Sequence, residues 1–210
     1  MAGKFITFEG GEGCGKSTQI RRLAAALEAD GVEVVLTREP GGTWLAEELR
    51  RLIKDQVTDA PNARAELLMF LAARAQLVEK VIKPALAAGR WVLSDRFSDS
   101  TLAYQGYGRG LPLDFIREAN AFACAGLKPD LTLLLRVEAD VAVARRRRRE
   151  GATATAADRI EQAGAEFHAR LARGFDEIAA AEPERVAVID AGGTEEAVEK
   201  EIWKSISRIR

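Results

Sequence analysis

The stretch Phe5–Ala29 constrains this chain more than any other. The apolar run Phe5-Ile6-Thr7-Phe8 enters Glu9-Gly10-Gly11-Glu12-Gly13-Cys14-Gly15-Lys16-Ser17-Thr18, and a pattern of helical period continues over Gln19–Ala29. This is a strand, then G-x-x-x-x-G-K-S, then a helix: the arrangement of a phosphate-binding loop. The glycines let successive backbone N–H groups curl around phosphate oxygens. Lys16 adds positive charge and Ser17 offers a hydroxyl to Mg²⁺. The helix points its N-terminus at the same anion. A glycine-rich turn with an incidental lysine is the alternative, and the flanking strand and helix weigh against it. The segment therefore predicts a nucleoside triphosphate as ligand and a sheet whose strand ends open onto the loop.

The rest of the chain supplies such a sheet. Short apolar runs at Lys4–Phe8, Glu33–Leu36, Trp91–Ser94, Leu131–Val137 and Val186–Ile189 read as strands. Helical patterns separate them: Gln19–Ala29, Trp44–Lys54, Asn62–Ala87, Asp140–Glu150, Asp158–Ala181 and Glu195–Ser207. Alternation of this kind makes a parallel sheet covered on both faces. The near-continuous apolar run Leu131–Leu135 suits a strand buried on both sides. The fold class is α/β, a P-loop NTPase-type parallel five-stranded sheet with helices on both faces, in one domain over residues 1–210. Pro84 should kink the long third helix and Gly89 close it; Thr194 is a candidate N-cap. A low-complexity stretch, Gly151–Ala157, follows the five arginines Arg145–Arg149 and reads as a mobile lid over about residues 145–159.

Composition narrows the function. With 31 basic and 32 acidic residues the net charge is −1, unlike the basic excess of a generic nucleic-acid binder, so no nucleic-acid partner is expected. There is no apolar run of bilayer length and no leader-like start, so no membrane association is expected. The two cysteines, Cys14 and Cys124, form no metal or disulfide pattern, which suits a reducing cytoplasm. The single histidine, His168, falls in what reads as an exposed helical position. Phosphoryl transfer does not need it, because positioning and charge neutralisation carry most of that catalysis.

Further residues cluster by chemistry. Trp91–Arg96 is an apolar strand ending in a carboxylate, and ligands of α/β sheets bind beyond such strand ends. Asp95 there could hold Mg²⁺ through water, and Arg96 a second anion; a plain ion pair between neighbours is the alternative. Arg38, before Glu39-Pro40-Gly41-Gly42, stands at the same rim, in a loop that could equally be only a turn. Phe70 and Arg74 are four apart and share a helical face. They form either a nucleobase clamp or ordinary core with a snorkelling arginine. Ser100, Thr101, Tyr104 and Gln105 lie in a polar stretch that reads as a loop. Of the five arginines only Arg145 and Arg149 share one stripe. A charge run is commonly a solvated face, but this one leads into the lid, where an arginine could meet charge developing in transfer.

In this order and spacing the pieces resemble bacterial thymidylate kinase, from Phe8-Glu9-Gly10 through Ser94-Asp95-Arg96 and Ala103-Tyr104-Gln105-Gly106 to Asp158-Arg159-Ile160-Glu161. The resemblance implies a nucleoside monophosphate kinase acting on ATP and dTMP, with Mg²⁺, in the cytoplasm, as a homodimer. It implies that Gly10–Thr18 (Gly10, Gly11, Glu12, Gly13, Cys14, Gly15, Lys16, Ser17 and Thr18) with Arg145 hold ATP. Glu12 would lie near the deoxyribose 3′-hydroxyl. Phe70 would stack on thymine and Arg74 bond its O4, while Arg96 and Arg38 would hold the monophosphate. Ser100, Thr101 and Gln105 would line the base and sugar, and Tyr104 would fill the space of a ribose 2′-hydroxyl. The catalytic set would be Lys16, Arg96, Asp95, Glu12 and Arg149, with Ser17 and Asp95 on the metal. The phosphate loop lacks an arginine, as in the subgroup that supplies it from the lid. Apolar Leu67, Leu71, Val78 and Val81 could face a second subunit or be core. Two rivals stand: another nucleotide kinase, and a non-enzymatic nucleotide switch.

Overall fold

The computed structural model describes residues 2–54, 60–138, 140–145 and 164–210. Five strands, β1 (Phe5–Glu9), β2 (Val34–Arg38), β3 (Trp91–Asp95), β4 (Leu131–Arg136) and β5 (Val186–Asp190), form one sheet in the order β2-β3-β1-β4-β5. Every pairing is parallel, as the crossover helices require. All five expected strands are present, each within a residue or two of its expected bounds.

Side chains alternate across β1. Ile6 and Phe8 join the core beneath α1 (Lys16–Ala29) and the last helix, with Leu23, Leu27, Leu133, Val198 and Ile202. Phe5, Thr7 and Glu9 take the opposite face, because successive strand side chains point to opposite sides. On that side Phe5 packs edge-on against Phe97 at 4.9 Å between ring centres. Next along, Thr7 Oγ1 meets Thr132 Oγ1 at 2.8 Å. This parity carries Glu9 beneath the segment that begins at Phe97.

After β2 come α2 (Trp44–Lys54) and α3 (Ala63–Leu77), the latter N-capped by Asn62 Oδ1, which accepts from the N–H groups of Arg64 and Ala65. The expected helix over Asn62–Ala87 is divided. α3 passes into a π-helical turn at Val78–Ile82 and then α4 (Lys83–Ala87). Pro84 has no N–H for the carbonyl four residues earlier, and the wider turn lies just before it. Leu67, Leu71 and Val78 are buried in core clusters and Val81 packs against one of them. Of the two readings of these residues, subunit face or core, the core one holds for Leu67, Leu71 and Val78, and Val81 is half-buried against that core.

The stretch expected as a polar loop is helical instead: α5 (Ser98–Thr101) runs into a π-helical segment, Leu102–Gly108. A further helix, α6 (Leu113–Ala123), had no counterpart in the sequence reading. Beyond β4, residues 140–145 are helical. α7 (Ala165–Ala181) and α8 (Glu195–Ile206) flank β5. Thr194 caps α8 as expected, its Oγ1 accepting from Ala197 N at 3.3 Å. His168 is half-buried rather than exposed, its ring edge-on to Phe167. The expected lid over about 145–159, apart from Arg145, lies outside the described residues, as do Arg149 and Arg159.

Candidate active site

The site is built where three strands end level. Phe8 of β1 pairs with Asp95 of β3, and Asp95 with Arg38 of β2, so the register alone brings the phosphate loop and both candidate anion-binding arginines to one rim. The loop must pass very close to its surroundings. A Cβ on Gly10 (φ 127°) would stand 2.3 Å from the Leu135 carbonyl oxygen, and one on Gly13 (φ 76°) 2.5 Å from that of Ala142. Only glycine fits such contacts at positive φ.

Lys16 opens α1 and folds back over the loop. Its Nζ donates to the carbonyls of Gly10 (3.0 Å) and Gly11 (2.8 Å) and approaches Cys14 Sγ at 3.5 Å. Burial pulls the ammonium down and Arg96 adds to that, but Cys14, Glu12 and Asp95 leave it above its ordinary value. It is a fixed positive charge aimed into a cradle of backbone. Beside it Ser17 Oγ donates to Asp95 Oδ2 at 3.1 Å. The sequence reading had joined these two residues, 78 positions apart, as a metal pair. An exposed hydroxyl and a carboxylate at a phosphate loop are hard oxygen donors of the kind Mg²⁺ takes, one or two from protein and the rest from phosphate and water. The donor set therefore fits Mg²⁺.

Arg96 is the centre of the opposite wall. Its backbone is left-handed (φ 73°), a costly conformation for a residue with a Cβ. The turn aims the side chain back across the strand ends. Nη1 donates to the Gly10 carbonyl (3.0 Å) and Ser100 Oγ (3.2 Å), Nη2 to Glu12 Oε1 (2.7 Å). The guanidinium lies 5.0 Å from the centre of the Tyr104 ring. Despite burial, Tyr104, Glu12, Asp95 and Glu9 hold it firmly charged. Glu12, Lys16, Asp95, Arg96, Ser100 and Tyr104 thus converge, as the sequence reading grouped them. Arg38 stands on the same rim but is half exposed, and its Nη2 is held by both oxygens of Glu47 at 2.8 and 3.0 Å.

The remaining candidates sit deeper. Arg74 is 1% exposed, Phe70 half-buried. The Arg74 guanidinium spans Glu39 (Nε to Oε1 and Oε2 at 3.1 and 2.9 Å), Asn120 Oδ1 (2.7 Å) and the Phe97 carbonyl (3.1 Å). Burial would lower this guanidinium, but Glu39 keeps it above its ordinary value. Its partners leave one of its five N–H groups, on Nη1, without a protein acceptor among the described residues. Thr101 is 1% exposed and its Oγ1 has no partner among the described residues. Gln105, also 1% exposed, donates from Nε2 to Glu66 at 2.8 Å, and Arg109 reaches the same carboxylate. Arg145 donates to the carbonyls of Ala191 (2.8 Å) and Gly193 (3.2 Å), bridging residues 140–145 to the turn after β5.

One residue escaped the sequence reading as a site member. Glu9 accepts from Phe97 N (2.8 Å), Ser100 N (3.2 Å) and Ser100 Oγ (2.5 Å). Burial, then the nearby Asp99, push its carboxyl up to about 7 against the pull of Arg96 and these hydrogen bonds. Counting in twos back along β1 to Phe5 would have put it on this face.

Comparison with known proteins agrees with this geometry. The family profile described as thymidylate kinase matches residues 8–202. A thymidylate kinase of Solidesulfovibrio magneticus is 49% identical over 207 residues, covering 98% of this chain and 99% of that protein. One of Nostoc punctiforme is 47% identical over 96% of this chain and 94% of its own. The crystal structure of the Ehrlichia chaffeensis thymidylate kinase superposes with a TM-score of 0.79 at 35% identity, covering 98% of this chain and 100% of that one.

Proposed function

The chain belongs to the thymidylate kinase family, and from that premise we propose how its residues divide the work of the family's reaction. That reaction is the ATP-dependent phosphorylation of dTMP to dTDP, a step of dTTP biosynthesis. The observation that carries the residue assignment is the half-buried cluster in which Arg96 meets Glu12 and shares the Gly10 carbonyl with Lys16.

ATP phosphates enter the cradle of residues 10–18, where Lys16 exchanges the Gly10 and Gly11 carbonyls for phosphate oxygens. Ser17 and Asp95 would hold Mg²⁺, which supplies charge neutralisation to the phosphates when bound. Arg96 takes the dTMP phosphate and sets one of its oxygens in line with the γ-phosphoryl group. Glu12 turns from Arg96 toward the sugar 3′-hydroxyl. Phe70 stacks on thymine, and the spare Nη1 hydrogen of Arg74 is its donor to O4. Ser100 and Thr101 line the base, supported by the unpartnered Thr101 hydroxyl. Gln105 belongs to the wall through Glu66 rather than by pointing at ligand. Arg38, once released by Glu47, adds to the phosphate wall. Arg145 lies against the nucleotide at the base of the lid, over about 145–159 of a single domain spanning 1–210, and Arg149 meets the charge on the transferring group.

We also assign the chain to the cytoplasm as a homodimer. Both cysteines are free thiols and buried. Among the described residues no helix is long and apolar enough to cross a membrane. Leu68 of α3 and Phe115 and Phe122 of α6 are 60%, 54% and 88% exposed on two helices that pack together. Sedimentation at micromolar concentration should give twice the chain mass.

The deciding experiment is an ATP-dependent acceptor panel of dTMP, dUMP, UMP, dCMP and AMP, with separate ligand titrations of Arg96→Ala. dTMP should be the preferred acceptor, and the variant should lose dTMP affinity far more than ATP affinity. Equal loss of both ligands would make Arg96 a structural partner of Glu12 instead.

A further inference from the structure

The same wall contains a buried carboxylate that touches no expected ligand. Glu9 sits behind Arg96, and Ser100 stands between them. The Ser100 hydroxyl has one hydrogen, which it donates to Glu9 Oε2. Its lone pairs are thereby turned toward Arg96, whose Nη1 donates to them at 3.2 Å. Glu9 Oε1 meanwhile accepts from the backbone N–H groups of Phe97 and Ser100, fixing the turn that directly follows the left-handed Arg96. One carboxylate therefore holds both the backbone on which Arg96 stands and the hydroxyl against which its guanidinium rests.

We propose that Glu9 is a positioning residue for the acceptor phosphate: in its ionised form it orders Ser100 and the Phe97 turn so that Arg96 is pre-aimed at the monophosphate. The inference rests on reading Arg96 as the acceptor-phosphate arginine. An ionised carboxylate only accepts hydrogen bonds, so the orientation of Ser100 is enforced. A protonated Glu9 becomes a donor on one oxygen, releases that orientation and loosens Arg96. Pre-aimed charged donors bind without the cost of ordering them.

The charged and titratable groups around Glu9 come from several elements: Arg96 after β3, Asp99 of α5, Tyr104 of the π-helical segment, and Arg74 of α3. Asp99 is itself tied to Arg185 at 2.7 Å. A carboxyl near 7 is ionised above that pH and protonated below it, so acceptor binding should weaken as pH falls through neutrality.

The test uses Glu9→Gln and, to remove the titration of the substrate phosphate itself, thymidine 5′-sulfate as a permanently charged probe beside dTMP. Loss of one charge-assisted hydrogen-bond partner should raise the KM for dTMP about tenfold and leave the KM for ATP within about twofold. In the native protein the affinity for thymidine 5′-sulfate should fall between pH 8.5 and 5.5; in Glu9→Gln it should be weak and flat. Parallel changes in both KM values would make Glu9 merely structural and overturn the proposal. If Glu9→Gln fails to bind ATP, the native protein decides, and a pH-independent affinity for thymidine 5′-sulfate overturns it. If Arg96→Ala leaves dTMP affinity intact, the reading of Arg96 has failed. If Arg96→Ala loses dTMP while Glu9→Gln does not, only the positioning role has failed.

Discussion

Arg74→Ala should be a stability variant before it is a binding variant. The side chain is 1% exposed and its ion-pair partner Glu39 is 4% exposed, so removing the arginine leaves a carboxylate buried without its counter-charge. Breaking a buried pair from one side costs about 3–5 kcal/mol. The native state can escape part of that by protonating Glu39. At pH 7, starting from an ordinary value near 4.3, protonation costs about 4 kcal/mol, falling to about 2 kcal/mol at pH 5.5. Each kcal/mol moves the melting temperature of a chain this size by about 2–4 °C, so a drop of about 6–20 °C is expected at neutral pH. The sign is testable. In the variant Glu39 binds its proton more tightly folded than unfolded, so the deficit against the native protein shrinks toward acid. Burial already holds Glu39 above its ordinary value in the native protein, so the deficit grows, by up to about 1.4 kcal/mol per pH unit, only above that native value. Thermal melts of both proteins at pH 5.5, 6.5 and 7.5 measure it. A melting point within about 3 °C of native, or a deficit that does not change with pH, would refute the argument that the arginine exists to pair Glu39. The double variant Glu39→Gln/Arg74→Met removes both charges together and should recover most of the stability. Being folded, it then isolates the thymine contact: dTMP affinity lost in that protein belongs to the single Nη1 donor.

Three further outcomes are expected. Lys16→Met should keep the fold, since its stem can still lie over the loop, yet lose about a thousandfold in turnover, or about 4 kcal/mol of transition-state stabilisation; near-normal single turnover would remove Lys16 from the mechanism. Tyr104 packs with Phe167, Phe175 and Leu134, so an alanine there opens a cavity costing about 3–5 kcal/mol; Tyr104→Phe is the cleaner variant. It should narrow the ratio of kcat/KM between dTMP and its ribose analogue, and an unchanged ratio would reduce the phenol to packing. Arg149→Ala should lower kcat and kcat/KM together while Arg147→Ala behaves as a surface change; if Arg159→Ala alone collapses turnover, the catalytic arginine lies on the far side of the lid.

What could be read from the chain follows from how local each signal is. The five strands were legible because they are short, mostly apolar runs separated by helical patterns, and β1, at the centre of the sheet, is buried at all five positions. The phosphate loop was legible because its glycines fall in one compact motif with Lys16 and Ser17. The segment Leu102–Gly108 was not, because its glycines serve a distant helix. A Cβ on Gly108 would meet the Phe167 ring at 2.5 Å, and one on Gly174 of α7 would meet the Tyr107 ring at 2.6 Å. Two glycine-bearing segments interlock, and the first, alone, looks like a polar loop. α6 was missed because its apolar residues occupy two faces. Ile116 and Ala123 face the core while Phe115 and Phe122 face outward, which erases the single stripe that marks a helix.

In the site, the residues found from sequence are those whose chemistry points at phosphate, and their strand-end positions made the meeting of Ser17 with Asp95 predictable from topology. Those left ambiguous, Arg74 and Gln105, have partners 35 and 39 positions away, Glu39 and Glu66, and nothing in local spacing announces such pairs. Glu9 shows the limit most clearly. Within the sequence it is the entry to a glycine-rich motif, and its neighbour in the chain, Gly10, lines the phosphate cradle. Side-chain alternation turns Glu9 the other way, into the layer beneath Arg96, so the residue nearest the phosphate loop in sequence serves the opposite wall of the cleft. The two walls share one strand end: Gly10 offers its carbonyl to both Lys16 and Arg96. Were phosphates to take both cations, as proposed, that carbonyl would lose both donors at once. The two side chains proposed for the donor and the acceptor phosphates are therefore joined through the residue that directly follows β1.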